Sequence, residues 1–209
     1  MEKKIIVSVI IPIFNRANFI ARCLRSLLYQ SFDRDAYEII VINDGSTDNT
    51  SNILNAFKDE IVILNHKKNK GLPNALNKGI KNSKGKYIVR VDSDDYVNLD
   101  YLKILHMFIK LNQKFDAVAC DYWTVNENEK ILRRNDCIKD PIGCGIIFKK
   151  KDLISVGLYN VGCKINEEVE LRKRFEKRFK IHRIPLPLYR YKQHSKNMTK
   201  NKKSWKVFF

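Results

Sequence analysis

Three carboxylates and a hydroxyl crowd into Asp92-Ser93-Asp94-Asp95, directly after Ile88-Val89-Arg90-Val91, a run with the length and β-branched content of a buried strand. Like charges side by side at a strand end are costly and need compensation. Two chemistries would supply it. In one, Ser93 and Asp95 start the next helix in a solvated loop, the acids favoured by the helix's positive end. In the other, hard carboxylate oxygens hold a divalent cation at the carboxyl end of a parallel strand, where α/β folds place their sites.

Other polar groups end strand-like runs in the same way. Val7 to Pro12 leads into Asn15-Arg16, and Glu38 to Ile42 leads into Asn43-Asp44-Gly45-Ser46-Thr47-Asp48. In a doubly wound sheet such ends converge on one crevice, and amides, acids and an arginine gathered there suit a nucleotide whose diphosphate is held through a metal. Farther along, Glu167-Glu168 opens a helix behind Asn166, where the helix dipole favours acids whether or not they catalyse. Gly143 and Gly145 bracket Cys144 within a short strand over 143–148, where two glycines imply close backbone approach to a neighbour or ligand. Asp48 reads as a helix-start residue, Arg174 as a solvated or salt-bridging helix residue and His194 as an exposed loop residue.

The elements that position these groups alternate. Strands at about 7–12, 38–42, 61–64 and 87–91 are separated by helices marked by Ile20, Leu24, Leu27 and Leu28, then by Ile53, Leu54 and Phe57, then by Ala75, Leu76 and Ile80. This spacing predicts a right-handed parallel α/β sheet through the first half. A helix over 99–111 and a strand over 117–120 follow. The polar stretch 123–140 should contain a hairpin near Asn126-Glu127-Asn128, and 143–148 another strand. A helix over 166–179 has Val169, Leu171, Phe175 and Phe179 inward, and Pro185-Leu186-Pro187 is a stiff connector into Leu188-Tyr189-Arg190-Tyr191. The expected organisation is one domain, its nucleotide half 1–122 and its acceptor half 123–191, with a basic tail over 192–209.

In order, Val9-Ile10-Ile11-Pro12-Ile13-Phe14-Asn15, Asn43-Asp44-Gly45-Ser46-Thr47-Asp48, Asn69-Lys70-Gly71 with Ala75, Asn77 and Gly79, Val91-Asp92-Ser93-Asp94-Asp95, Gly157-Leu158-Tyr159, and Glu167-Glu168-Val169-Glu170-Leu171 with Arg174 resemble the family 2 glycosyltransferases over about residues 5–180. The resemblance implies a GT-A fold, a Rossmann-like, mostly parallel sheet flanked by helices with a variable C-terminal acceptor region. It implies inverting transfer from a nucleotide-sugar, usually a UDP-sugar, to a hydroxyl of a glycan or lipid-linked acceptor in cell-surface polysaccharide synthesis. It places Pro12, Phe14, Asn15, Arg16, Asp44, Gly71, Asn74, Asp92 and Ser93 on the donor nucleotide, with Asp44 toward the base and Asp92 toward the ribose or sugar. Gly143 and Gly145 would lie against the donor sugar. Asp94 would ligate Mn²⁺ or Mg²⁺, which acts as a Lewis acid on the departing diphosphate, and a C-terminal histidine such as His194 would join it. One of the Glu167-Glu168 pair would be the general base, Glu168 by preference, with Glu167 orienting the site.

Two departures from the family pattern stand out. Ala75-Leu76-Asn77 lacks an arginine expected near the diphosphate, and Glu167-Glu168 replaces a Glu-Asp pair, one methylene longer at the base. A catalytically weakened homologue is therefore one alternative. The net charge of +17 raises a second, a basic nucleic-acid-binding protein. Against that, the aromatics form no recognisable RNA-binding motif, so no nucleic acid is expected as a partner.

The composition narrows the remaining classes. A 44% hydrophobic, 30% charged chain of 209 residues suits a globular domain, and no run approaches the ~20 apolar residues of a membrane span. Met1 to Ile11 lacks a small-residue cleavage site and reads as the first strand of a cytoplasmic protein. The five cysteines, Cys23, Cys120, Cys137, Cys144 and Cys163, have no Cys-x-x-Cys pairing and read as reduced thiols. Lysines from Lys192 onward, with Trp205, Phe208 and Phe209, predict a peripheral contact with an anionic membrane at its inner face. Docking of that tail on the domain or on a second subunit is the competing expectation.

Overall fold

The computed structural model describes residues 4–163 and 165–193. His194 and the aromatic end of the tail lie outside the described residues. Nine strands form one mixed sheet: β1 (Val7–Ile13), β2 (Tyr37–Asn43), β3 (Val62–Asn65), β4 (Tyr87–Arg90), β5 (Tyr96–Val97), β6 (Ala117–Val125), β7 (Ile131–Asn135), β8 (Ile146–Lys149) and β9 (Ile181–Lys192). Their order is β3-β2-β1-β4-β8-β6-β9-β5, with β7 paired to β6. The sheet is parallel from β3 to β4, and β8 then enters antiparallel between β4 and β6.

Among the described residues six helices flank it: α1 (Ala17–Leu28), α2 (Thr50–Asn55), α3 (Leu72–Asn82), α4 (Tyr101–Leu111), α5 (Lys150–Ser155) and α6 (Glu167–Glu176). The central strands are buried on both faces, which is why β1 reads as a near-continuous apolar run broken only by Ser8, whose hydroxyl donates to Glu38. Val7, Val9, Ile11 and Ile13 face one core cluster with Ile20 and Leu24 of α1 and Leu102 and Leu105 of α4. Ile10, between them, faces the other cluster with Leu76 and Ile80 of α3 and Phe175 of α6. That split follows from the two-residue period of a strand. Gly79 has no room for a side chain: a Cβ there would lie 2.6 Å from Ile10 and Ile42.

Four expectations are corrected. Asp95 does not start a helix; the short strand β5 follows it, and the next helix begins at Tyr101. β6 continues through Trp123 to Val125, so the polar stretch after residue 122 is partly strand, and the 122/123 division falls inside β6. Its hairpin turns where expected, Asn126 receiving a hydrogen bond from Glu129 and donating to Lys130. Pro185-Leu186-Pro187 is not a connector but lies within β9, which runs parallel to β6. Register slips there from Cys120↔Ile184 to Asp121↔Pro187, because prolines without an N–H are tolerated where pairing is interrupted. Finally, Val169 is exposed and Glu167 takes the inward place, sharing an every-fourth-residue row with Leu171 and Phe175.

Candidate active site

Arg90 is the pivot of the site. It is the last residue of β4, wholly buried behind the acidic segment, and its guanidinium joins two stretches of chain far apart in sequence. Nε donates to Asp92 Oδ1 at 2.8 Å and Nη2 to Asp92 Oδ2 at 3.2 Å, while Nη1 donates to Glu167 Oε1 at 2.9 Å. Gly143 exists for this junction. A Cβ there would meet Arg90 Nη1 at 2.7 Å and Glu168 Cβ at 3.0 Å, so Arg90 and Glu168 pack on the same glycine. Sequence reasoning passed over Arg90, although a lone arginine in an otherwise apolar strand was the signal. It brings a cation to the site where position 76 does not, since Leu76 is fully buried in the core.

The acidic segment is held from behind by β9. Tyr189 Oη donates to Asp95 Oδ2 at 2.7 Å and accepts from the Asp92 N–H at 3.2 Å. The Lys192 N–H donates to Asp95 Oδ1 at 2.8 Å. Lys192, counted with the basic tail from sequence, is thus a buried strand residue, and its Nζ reaches Glu129 Oε1 at 2.7 Å. Burial, reinforced by Asp94 and then Asp92, raises the Asp95 carboxyl well above its usual range. Asp94 is approached by Arg16 Nε at 3.7 Å. Ser93 is buried between them.

The other strand ends supply the opposite wall. Asn15 adopts a left-handed φ of 52°, and its Oδ1 accepts from the Thr47 N–H at 2.8 Å. Its own N–H donates to Ser46 Oγ at 3.0 Å. Pro12 is buried in β1 and Phe14 is exposed beside Asn15. Asp44 is buried and turned toward the chain: it accepts from the N–H groups of Lys70 and Gly71, both at 2.9 Å, and lies 2.6 Å from His66 Nδ1. His66 was not foreseen, because only the fold brings it to Asp44. Gly71 ends this loop at φ 90° and precedes α3, where Asn74 Nδ2 donates to the Lys70 carbonyl at 2.7 Å. Gly45 must also be glycine, because a Cβ would sit 2.7 Å from the Asn69 nitrogen. Asp48 accepts from the Thr50 N–H at the start of α2, as expected of a helix-start residue.

The remaining wall is built on α6. The Asn77 side chain and the Tyr159 backbone exchange hydrogen bonds of 2.7 and 3.0 Å. Arg174 donates to the carbonyls of Val156 and Leu158 and pairs with Glu170. These contacts fix the 156–159 loop against both helices. With Glu167 committed to Arg90, Glu168 is left in a half-buried setting where burial, then the neighbouring Glu167, pushes its carboxyl up to about 7. Gly145 (φ 73°) accepts at its carbonyl from the Cys120 N–H, so its backbone belongs to the sheet.

Asp92, Asp95 and Cys144 offer ligand atoms within 4.8 Å of one another. The carboxylates fit a hard divalent cation such as Mn²⁺ or Mg²⁺. Cys144 does not, because burial holds its thiol protonated. The excess of carboxylate at Asp92, Asp94 and Asp95 is what a bound cation would relieve. A roomier hollow of about 360 Å³, lined by Lys86, Lys110, Lys149 and Lys151, lies at the opposite, amino end of β4 and shares no residue with this chemistry.

Comparison with known proteins points the same way. The description Glycosyl transferase family 2 matches residues 8–183. Glycosyltransferase GlyA of Streptococcus pneumoniae is 35% identical over 125 residues, 59% of this chain and 18% of that protein. Poly(ribitol-phosphate) beta-glucosyltransferase of Bacillus spizizenii is 40% identical over 111 residues, 51% of this chain and 18% of that protein. The chain therefore spans less than a fifth of the length of these two relatives. Among solved structures, S. aureus TarS 1–349 in complex with UDP superposes with a TM-score of 0.79 at 22% identity, over 90% of this chain and 61% of that one. Mannosyltransferase PcManGT from Pyrobaculum calidifontis, in complex with GDP-Man and Mn²⁺, gives 0.72 at 17% identity, over 91% and 58%. At these identities the likeness is one of fold.

Proposed function

The chain belongs to glycosyl transferase family 2, and from that premise we propose that it moves a sugar from a UDP-sugar onto an acceptor hydroxyl with inversion at the anomeric carbon. The observation that carries this reading is the Arg90 junction. One buried guanidinium binds the acidic end of β4 and the first residue of the α6 pair, so donor-side acids and the base flank a single point.

Each residue then has a task. Asn15 and Asp44 shape the two loops that wall the nucleotide, and Pro12, Phe14, Arg16, Gly71, Asn74 and Ser93 lie along that wall. Asp94, with Asp92 and Asp95, would hold Mn²⁺ or Mg²⁺, which would supply Lewis acidity at the departing diphosphate. Gly143 and Gly145 keep the backbone close beneath the donor sugar. Glu168 takes the acceptor proton at a carboxylate whose affinity for it lies near neutrality, the range in which a base both ionises and accepts. Glu167 holds Arg90, and through it Asp92, in register. A longer side chain at the base thus costs no partner, because the anchoring duty falls on the other glutamate.

The acceptor in this reading is a glycan or lipid-linked chain of the cell surface, a class consistent with the name of the Bacillus relative. The enzyme would work at the cytoplasmic face of the membrane. No described helix is long and apolar enough to cross one; the contact we propose is a peripheral one through the basic tail. UDP release from a panel of UDP-sugars, with and without Mn²⁺, tests the proposal. Turnover of at least one donor that rises with Mn²⁺ is expected; a panel without UDP binding or release overturns it.

A further inference from the structure

Helix α6 carries a second row beside its inward one. Glu168, Arg172 and Glu176 recur every fourth residue and share a face, with about 6 Å between successive Cβ atoms. The row forms one wall of a cavity of about 120 Å³. The 141–143 loop and β8 close the other sides, and Ile146, Phe148, Tyr159 and Phe175 make its floor apolar. Arg172 enters this cavity half satisfied. Its Nε donates to Glu176 Oε1 at 2.8 Å, but Nη1 is buried and meets no acceptor among the described residues. A guanidinium pairing merely along a helix surface would leave that nitrogen in water, where it costs nothing. Buried without a partner, it is a donor awaiting an acceptor.

We propose that this cavity is an acceptor subsite in which the Arg172 guanidinium binds an anionic group, a phosphate or carboxylate, on an acceptor whose reacting hydroxyl faces Glu168. The inference rests on the transferase reading for the role of Glu168. One helical turn between the two side chains sets the ligand's shape, a hydroxyl and an anion a few bonds apart, as in a sugar or polyol phosphate. The apolar floor suits the C–H face of such a ligand. Electrostatics add a requirement of their own: with Glu167 paired to Arg90, an anion brought beside Glu168 is repelled as that carboxyl ionises unless a cation offsets it, and Arg172, on the Glu168 row, and Lys173 are the cations in the cavity's lining. Arg172 is thus a specificity residue, selecting anionic over neutral acceptors.

Ligand-observed NMR titration of the full chain tests this with ribitol 5-phosphate, ribitol and inorganic phosphate as probes. The wild type should bind the polyol phosphate at least tenfold more tightly than the neutral polyol. Arg172→Gln should bring the two within about twofold, while Arg172→Lys, which keeps the charge, retains most of the preference. Equal binding of both polyols by the wild type, or a preference intact in Arg172→Gln, overturns the inference. So does inorganic phosphate binding as tightly as the polyol phosphate, which would mark a simple anion site. UDP titration of the wild type separates the two readings. UDP binding without a phosphate preference sinks the subsite alone. A preference without UDP binding sinks the transferase reading and leaves an Arg172-dependent polyol phosphate site.

Discussion

Two acid clusters, each with an arginine and a cysteine, occupy the same sheet with opposite electrostatics. At Asp121, Asp136 and Cys137 the charges are closed off. Asp121, buried in β6, accepts from Arg183 Nε and Nη2 at 2.8 and 2.7 Å and from Arg134 Nη2 at 3.1 Å, while Arg183 Nη1 reaches Asp136 at 2.7 Å. Burial works against the Asp121 charge, yet Arg183, the Cys137 N–H and Arg134 hold its carboxyl below the usual range. At Asp92, Asp94, Asp95 and Cys144 the balance is reversed. Arg90 is shared with Glu167, the side chain that reaches Asp95 is a neutral tyrosine, and its carboxyl is pushed up. The same residue types thus make a structural clamp in one place and the proposed site in the other. What separates them is the ratio of cations to carboxylates.

The largest expected effect lies on the open side. Glu168→Gln should cut glycosyl transfer by roughly a hundredfold or more while UDP affinity stays near wild type. Glu167→Gln should cost less, since it loosens Arg90 without removing the base. A reversed ranking would move the base to Glu167. In the wild type the rate should rise with pH through about 7 as Glu168 ionises, and a profile flat from pH 5 to 8 would contradict that role.

Breaking the two arginine junctions should separate the clusters by stability. Arg90→Met leaves Glu167 buried, and Asp92 half-buried, against no cation and should cost about 3–5 kcal/mol in urea unfolding. Asp121→Asn keeps the shape but weakens contacts to two half-exposed arginines, and should cost only about 1–2 kcal/mol with no change in Mn²⁺ response. Equal losses would erase the distinction drawn between clamp and site.

The smallest effect has an unusual sign. Because the folded state raises the Glu168 carboxyl from 4.5 to about 7, its neutral form is favoured, and the stability it contributes is lost as pH rises from about 4.5 through about 7. At pH 8 Glu168→Gln should therefore melt about 3 °C above wild type, and at pH 4 no higher. A lower Tm at pH 8 would mean that Glu168 is a structural residue.

The open cluster was legible in sequence because its chemistry is contiguous: Asp92 to Asp95 follow their own strand, and Asn15 and Asp44 end theirs. The first four strands were equally plain, since each apolar run is bounded by local turn residues. The closed cluster gave no sequence signal, because Asp121, Arg134, Asp136 and Arg183 meet only through the parallel pairing of β6 with β9. That pairing was hidden by two prolines that resemble a connector. Tyr189 and Lys192 were missed for the same reason: each acts through a partner 94 or more residues away. The inward turn of Glu167, by contrast, was readable from its four-residue spacing to Leu171 and Phe175.

The claim that an excess of carboxylate at the end of β4 marks the site is tested most directly by calorimetric titration of UDP with and without Mn²⁺, on the wild type, Asp94→Ala and Asp121→Asn. The account predicts that Mn²⁺ strengthens UDP binding by at least tenfold in the wild type and in Asp121→Asn, and not in Asp94→Ala. Full Mn²⁺ enhancement in Asp94→Ala, or its loss in Asp121→Asn, would contradict it.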